Sequence, residues 1–298
     1  MTLELAERDG IILEDEPLSR HTTLKIGGPA RRYCRVRTEE GLSGVLRLAR
    51  QSGEPLVLLG MGSNVLAADE GFPGWVVRLE GDFLAIRVEG NRLVAGGGAA
   101  LGGACAAAAR AGLSGLESIS GIPSSMGGAV RINAGAYGGE IFDVLETVRL
   151  VGRDGGKRVA GAAEIPHGYR WTKLCETGEI VAEVTLRLVP TSRSEIEEKT
   201  RTVGEKRRGA LPGEPNAGSI FKNPPGDYAG RLIEMCGLKG ERRGGACIST
   251  RHANVIVNTG EARAADVLAL MRLMRHSVRE KFAVNLVPEV EFLGLTWE

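Results

Sequence analysis

Apolar residues recur at helical spacing over 42–50, where Leu42, Val45, Leu46 and Ala49 share one face and Gly53 ends the run. Period two takes over in FLAIRVEGNRLVA, residues 83–95, and Gly90-Asn91 at its centre predicts a hairpin. Residues 104–111 read as a helix closed by Gly112. Strands follow at 144–151, 157–160 and 179–188, the last alternating cleanly as EIVAEVTLRL. Up to about residue 190 the pattern is one α+β unit on two small sheets with a ligand between them. PTSRS at 190–194 reads as a linker, followed by a charged helix at 195–208 and a loop, LPGEPNAGSIFKNPPGDYAG. Beyond it the pattern predicts a helix at 228–236, a strand at 253–257 and an amphipathic helix at 263–282 with Val267, Leu270, Met274 and Val278 on its stripe. In the closing strand, 285–293, period two puts Glu289 and Glu291 on one face and Val290 and Phe292 on the other.

Three stretches fit neither period. HTTLKIGG, 21–28, is either a turn beside a ligand or a plain strand end. PLVLLGMGSN, 55–64, is a buried strand that runs into glycines at 60 and 62. It lacks the third glycine of a dinucleotide fingerprint, since position 65 is valine, and no helix starts there. Its turn either meets a pyrophosphate or is an ordinary β-turn. The longest such stretch, GIPSSMGGAVRINAGAYGGE, has six glycines in its twenty residues, 121–140. Such a segment buries little apolar surface but lets backbone approach a ligand closely and can aim several N–H groups at an anion. Ile122, Met126, Val130 and Ile132 argue for an ordered path rather than a flexible surface loop. We read it as a cradle for a large phosphate-bearing cofactor.

Composition narrows the classes. The 298 residues are 43% hydrophobic and 25% charged, with a net charge of +1, which points to no nucleic-acid or membrane partner. The start, MTLELAERDG, is acidic where a secretory leader is basic and then apolar. Five widely spaced cysteines and four histidines show no metal-ligand spacing, so reduced thiols, a cytoplasmic setting and no metal are expected.

Three residues are candidates for chemistry. Ser219, in Ala217-Gly218-Ser219-Ile220-Phe221, has no partner histidine and no nucleophile elbow, because position 221 is phenylalanine. It is either a loop hydroxyl bonded to backbone or a proton donor to a strongly basic carbon. Arg170, between Tyr169 and Trp171, is a fork for a carboxylate or phosphate, or a surface stack. Glu289 is a general acid or oxyanion stabiliser, or part of a solvated strand face.

The motifs HTTLKIGG, LLGMGSN, GIPSSMGGAVRINAGAYG, YR, AGSIFKNP, AGRLIEMCGLKG, GGACIS, HANVIVN and PEVEFLG, in this order, resemble the UDP-N-acetylenolpyruvoylglucosamine reductase family over nearly the whole chain. The resemblance implies an α+β protein with the FAD-binding fold of the vanillyl-alcohol oxidase and p-cresol methylhydroxylase type. That domain, 1–190, would hold two subdomains split near 53, and a substrate domain, 191–298, would follow, with the 284–298 strand returning to the first subdomain. It implies noncovalent FAD, NADPH as hydride donor, a UDP-sugar enol ether as substrate, and a cytoplasmic monomer in peptidoglycan precursor synthesis. Another FAD-dependent oxidoreductase or oxidase of the same fold is the alternative. Ser219 would be the proton donor, and Arg170 and Glu289 would stabilise the reacting enol. The flavin would be held by Gly60, Met61, Gly62, Ser63, Asn64, Gly121, Ile122, Pro123, Ser125, Gly128, Ala129, Asn133, Gly135, Ala136, Tyr137 and Ile180. Tyr137, Arg170, Lys222, Asn223, Lys239 and His252 would hold the substrate. The chain departs from the family pattern at His21, Ser124 and Thr172, and it lacks an insertion with a clamping tyrosine between Pro190 and Asn216. Arg207 and Arg208 are the candidate substitutes for covering the diphosphate.

Overall fold

The computed structural model describes residues 8–297, so the reading of the start, MTLELAERDG at 1–10, falls mostly on residues 1–7, outside the described residues. The chain forms two compact units. The first gathers Met1–Leu13, Arg32–Gly60 and Gly74–Arg207; the second gathers Glu14–Arg31, Met61–Pro73 and Arg208–Glu298. The expected limit at 190/191 therefore does not coincide with a unit boundary, which falls inside a helix. No helix among the described residues is long and apolar enough to cross a membrane.

A four-stranded sheet, in the order Gly10–Pro17, Pro29–Val36, Phe72–Leu79, Leu56–Leu58, lies mainly in the first unit. The Leu56–Leu58 strand is half-buried rather than buried because it is the edge, paired only with Trp75–Val77. The helix Glu39–Ser52 starts where the Thr38 hydroxyl accepts the Gly41 N–H at 3.1 Å and stops at Gly53. Its stripe of Leu42, Val45, Leu46 and Ala49 packs with Trp75, Val77, Ile180 and Ala182. Full burial of each larger side chain stabilises the unit by about 1.5–3 kcal/mol.

A second sheet of the same unit is antiparallel throughout, in the order Lys157–Gly161, Leu145–Val151, Ile180–Arg187, Arg92–Gly96, Ile86–Glu89. The last two strands form the expected hairpin, with Glu89 opposite Arg92 across Gly90-Asn91. Helices Leu101–Arg110 and Met126–Arg131 contribute Leu101, Ala104, Met126 and Val130 to its core. The expected linker at 190–194 does not form as such, since a helix runs from Arg193 to Ala210. Ser192 explains the difference: its hydroxyl accepts the Glu195 N–H at 3.4 Å, so polar residues that read as a loop are a helix start. Pairs such as Arg193–Glu197 and Arg201–Glu205 then brace the exposed turns.

The second unit is built on the helix Ala264–Phe282, whose buried Val267, Leu270, Met274 and Val278 are the expected stripe. Asp69 receives the first amides of that helix, from Ala264 at 2.8 Å and Ala265 at 3.2 Å. Against the helix lie Ala229–Met235 and a three-stranded antiparallel sheet, Arg242–Arg243, Ala246–Ile248 and Ile256–Asn258. Of the strand expected at 253–257 only the end forms, shifted to 256–258, because Ala253–Val255 is drawn into side-chain and turn bonding. The closing strand shortens to Glu291–Leu293 and pairs in parallel with Val65–Ala67, beyond the expected split near 53.

Candidate active site

In the second unit the turn at 61–64 is an array of donors. Gly62 adopts φ 64°, and a Cβ there would lie 2.1 Å from the His21 carbonyl oxygen, so only glycine fits. The main-chain amides of Met61, Gly62 and Asn64 have no acceptor among the described residues, which leaves three donors within four residues for an anion. A strand, Val65–Ala67, follows the turn, so this is no Rossmann start. HTTLKIGG is a loop and not a strand end: the Thr23 N–H donates to the Gly62 carbonyl at 3.0 Å and its hydroxyl to that of Asn216 at 2.7 Å.

Asn216 opens the Ser219 loop. Its Oδ1 accepts the Gly218 N–H at 2.9 Å, and Gly218 at φ 72° turns the chain. From there main-chain bonds fix the path. The amide of Ile220 donates to the Asn254 carbonyl at 2.9 Å, and that of Lys222 to the Val287 carbonyl at 2.8 Å. Asn254, 2% exposed, pairs its amide side chain with both edges of Phe221, accepting at 3.0 Å and donating at 2.8 Å. The Glu289 N–H donates to the Ile220 carbonyl at 2.8 Å, so Ser219 and Glu289 stand on neighbouring segments. The half-buried Ser219 hydroxyl itself makes no hydrogen bond among the described residues, which removes the reading of a loop hydroxyl tied to backbone.

In the first unit the 121–140 stretch is ordered, with Met126 and Val130 fully buried. It is not the array of free amides that its glycines suggest. The amides of Ile122, Ser124, Met126 and Gly127 donate to carbonyls of Ile119, Ile122, Ala99 and Gly97, and that of Gly128 donates to the Ser125 hydroxyl at 3.2 Å. Gly128 serves close packing, since a Cβ there would meet both Ser124 and Ser125 hydroxyls at 3.1 Å, and a Cβ at Gly60 would meet Ser125 Oγ at 2.6 Å. Ala129, Asn133 and Ile180 are buried to 1% exposure or less, so their side chains are not placed to touch a ligand. Asn133 instead braces its surroundings, donating to the Gly168 carbonyl at 3.1 Å and accepting the Phe142 N–H at 3.4 Å.

Gly135–Ala136 and Gly139–Glu140 pair as a hairpin whose two turn residues, Tyr137 and Gly138, have φ of 51° and 87°. This turn holds Tyr137 out, 48% exposed. Arg170 turns a second small hairpin between His167–Gly168 and Trp171–Thr172, at φ 54°. It stacks on Tyr169, 5.1 Å from the ring centre, and its Nη2 donates to the Gly135 carbonyl at 2.5 Å. Asn133, Gly135, Tyr137 and Arg170 are thus one cluster. The Thr172 hydroxyl is structural, buried and donating to the Arg131 carbonyl at 2.6 Å. Arg207 lies over Gly121, with its Cδ 3.3 Å from where a Cβ would be. Burial lowers its pKa, Tyr137 opposes that shift, and it has no acidic partner among the described residues. Arg208 is exposed, and its carbonyl accepts the Arg251 guanidinium at 2.8 Å.

Three substrate candidates of the second unit surround the helix Ala229–Met235. Asn223 Oδ1 accepts the Ala229 N–H at 3.0 Å, and Lys239 pairs with Glu234 at 2.7 Å. The ring of His252 lies 3.2 Å from a Cβ built at Gly230. Burial pushes the His252 pKa below its ordinary 6.5, and the charge of Lys239 adds to the effect. Lys222 is half-buried in the segment after Ser219. The sequence reading missed Thr23 and Asn254. For Asn254 the signal was there: an amide heading a run of buried β-branched residues has to bond something inside.

Within the second unit, the amide donors at 61–64 suit a pyrophosphate such as that of FAD. Comparison with known proteins agrees. Residues 30–160 match the model of an FAD binding domain, and residues 211–293 match that of the UDP-N-acetylenolpyruvoylglucosamine reductase C-terminal domain. UDP-N-acetylenolpyruvoylglucosamine reductase 2 of Symbiobacterium thermophilum is 46% identical over 286 residues, 96% of this chain and 93% of that one. The reductase of the same name from Moorella thermoacetica is 43% identical over 284 residues, 95% of this chain and 93% of that one. The crystal structure of UDP-N-acetylenolpyruvylglucosamine reductase from Thermus caldophilus matches with a TM-score of 0.82 at 42% identity, covering 95% of this chain and 98% of that chain.

Proposed function

The chain belongs to the UDP-N-acetylenolpyruvoylglucosamine reductase family, and we propose that in it Ser219 supplies the proton while Arg170 and Glu289 steady the negative charge of the reacting enol. The protein is an FAD-dependent oxidoreductase that reduces the enolpyruvyl ether of a UDP-sugar in peptidoglycan precursor synthesis. Its fold is that of the family, an FAD-binding α+β domain followed by the C-terminal domain.

The chemistry that bound FAD supplies is hydride transfer, from NADPH and on to C3 of the enolpyruvyl group. The donor amides of Met61, Gly62 and Asn64 would hold its pyrophosphate. Hydride arriving at C3 leaves negative charge on C2 and the adjoining carboxylate. Arg170 presents a planar fork for that carboxylate, steadied by Tyr169 and the Gly135 carbonyl. Glu289 bears on the same charge, and Ser219 protonates C2 to give the lactyl ether. Lys222, Asn223, Lys239 and His252 are assigned to the UDP-sugar, and Arg207 to its diphosphate. We assign the flavin to 1–190 and the substrate chiefly to 191–298, and take the working form to be a cytoplasmic monomer.

One observation carries the reading: a serine hydroxyl without a hydrogen bond, in a loop whose main chain is pinned on one side by Glu289 and on the other by Asn254. The test is NADPH oxidation by the flavin-loaded protein with and without the UDP-sugar enol ether, in air and without oxygen. Turnover that requires the enol ether and ignores oxygen is expected. Turnover that follows oxygen instead would make the protein an oxidase.

A further inference from the structure

We propose that Asn64 is a positioning residue for Glu289, a role resting on the reading of Glu289 above. The argument is one of ladder geometry. Glu291 pairs in parallel with Val65, and its N–H donates to the Asn64 carbonyl at 2.9 Å. In a parallel ladder of this register the next bond runs from the Asn64 main-chain N–H to the Glu289 carbonyl. That bond is made instead by the Asn64 side chain, whose Nδ2 donates to the Glu289 carbonyl at 3.0 Å. The substitution has two effects. It leaves the Asn64 main-chain amide to join those of Met61 and Gly62 as an anion donor. It also holds the Glu289 peptide from both sides, with its N–H on Ile220, next to Ser219, and its carbonyl on Asn64. A single amide side chain therefore ties the donor turn to the main chain of Glu289, and removing it takes one bond from the Glu289 peptide. Displacements of about 1 Å at a reacting group can lower rates by about 10²-fold.

The experiment is a double-mutant cycle with Asn64→Ala and Glu289→Gln, read separately in the two half-reactions. Asn64→Ala, loaded to full flavin content, is expected to slow flavin oxidation by the UDP-sugar enol ether by about 10- to 100-fold and to slow reduction by NADPH less. On the Glu289→Gln background it is expected to add nothing, because the group through which it acts is already disabled. Asn64→Asp keeps the shape but points an acceptor at the carbonyl, so it should rescue nothing at neutral pH, and it also serves as the test protein if Asn64→Ala does not fold. Equal losses in both half-reactions, or the full factor repeated on Glu289→Gln, would overturn the positioning role. A Glu289→Gln protein reacting at the wild-type rate would remove the reading of Glu289 itself, and the two failures look different.

Discussion

Removing the hydroxyl of Ser219 separates chemistry from structure unusually well. Every bond that fixes its loop is made by other groups: the amides of Ile220, Phe221, Lys222 and Glu289, and the side chain of Asn254. The hydroxyl bonds nothing among the described residues. Ser219→Ala should therefore change folding stability by less than about 0.5 kcal/mol. Its effect on the reaction should be of another order. A positioned proton donor contributes about 10²–10⁴ in rate, equivalent to about 3–5 kcal/mol of barrier. The assay follows the flavin spectrum in rapid mixing, first with NADPH and then with the UDP-sugar enol ether. The first step should be unchanged and the second slowed by the full factor. Ser219→Cys should recover part of it, because a thiol still donates. In heavy water the wild type should carry solvent deuterium at C2 of the product. Wild-type turnover by Ser219→Ala, equal slowing of both steps, or a covalent serine adduct would refute the reasoning.

Arg170→Lys keeps the charge but loses the fork, so substrate reduction should fall by about 10²-fold, with NADPH reduction affected less; equal losses would place Arg170 in general structure. Asn254→Ala leaves the Phe221 N–H and carbonyl without partners at a site 2% exposed, which costs about 1–3 kcal/mol per group, so denaturant unfolding should show a loss of about 2–6 kcal/mol. His252, its pKa held below 6.5 by burial and then by Lys239, is mostly neutral in the free protein above that pH. A bound diphosphate should raise its pKa, so substrate binding near pH 6 should take up a proton. Calorimetry in buffers of different ionisation enthalpy measures the uptake, which His252→Gln should abolish.

The regular elements were legible because their cores impose a period. The stripe of Glu39–Ser52, the hairpin at Gly90-Asn91 and the alternation of Ile180–Arg187 all appear within a few residues of where the pattern puts them. What the sequence leaves unsaid is how polar groups are partnered. The glycines of 121–128 suggested free amides, yet Gly127 and Gly128 donate to the Gly97 carbonyl and the Ser125 hydroxyl, while the amides of Met61, Gly62 and Asn64 have no acceptor among the described residues. PTSRS looked like a linker because a serine that caps a helix and a serine in a loop read alike. Asn64 looked like a cofactor ligand, and nothing local to it says that its side chain would replace a ladder bond to residue 289.

The cluster of Asn133, Tyr137 and Arg170 carries a consequence for engineering. All three are non-glycine residues in the left-handed region, at φ of 46°, 51° and 54°, a conformation that costs a bulky residue about 1–2 kcal/mol. A library selected for heat resistance alone would gain by placing asparagine or glycine at 137 and 170, and each gain would remove a side chain proposed to meet the substrate. Selection for thermal tolerance and selection for turnover should therefore pull these two positions in opposite directions. A stabilised variant that keeps Tyr137 and Arg170 will have found its stability elsewhere.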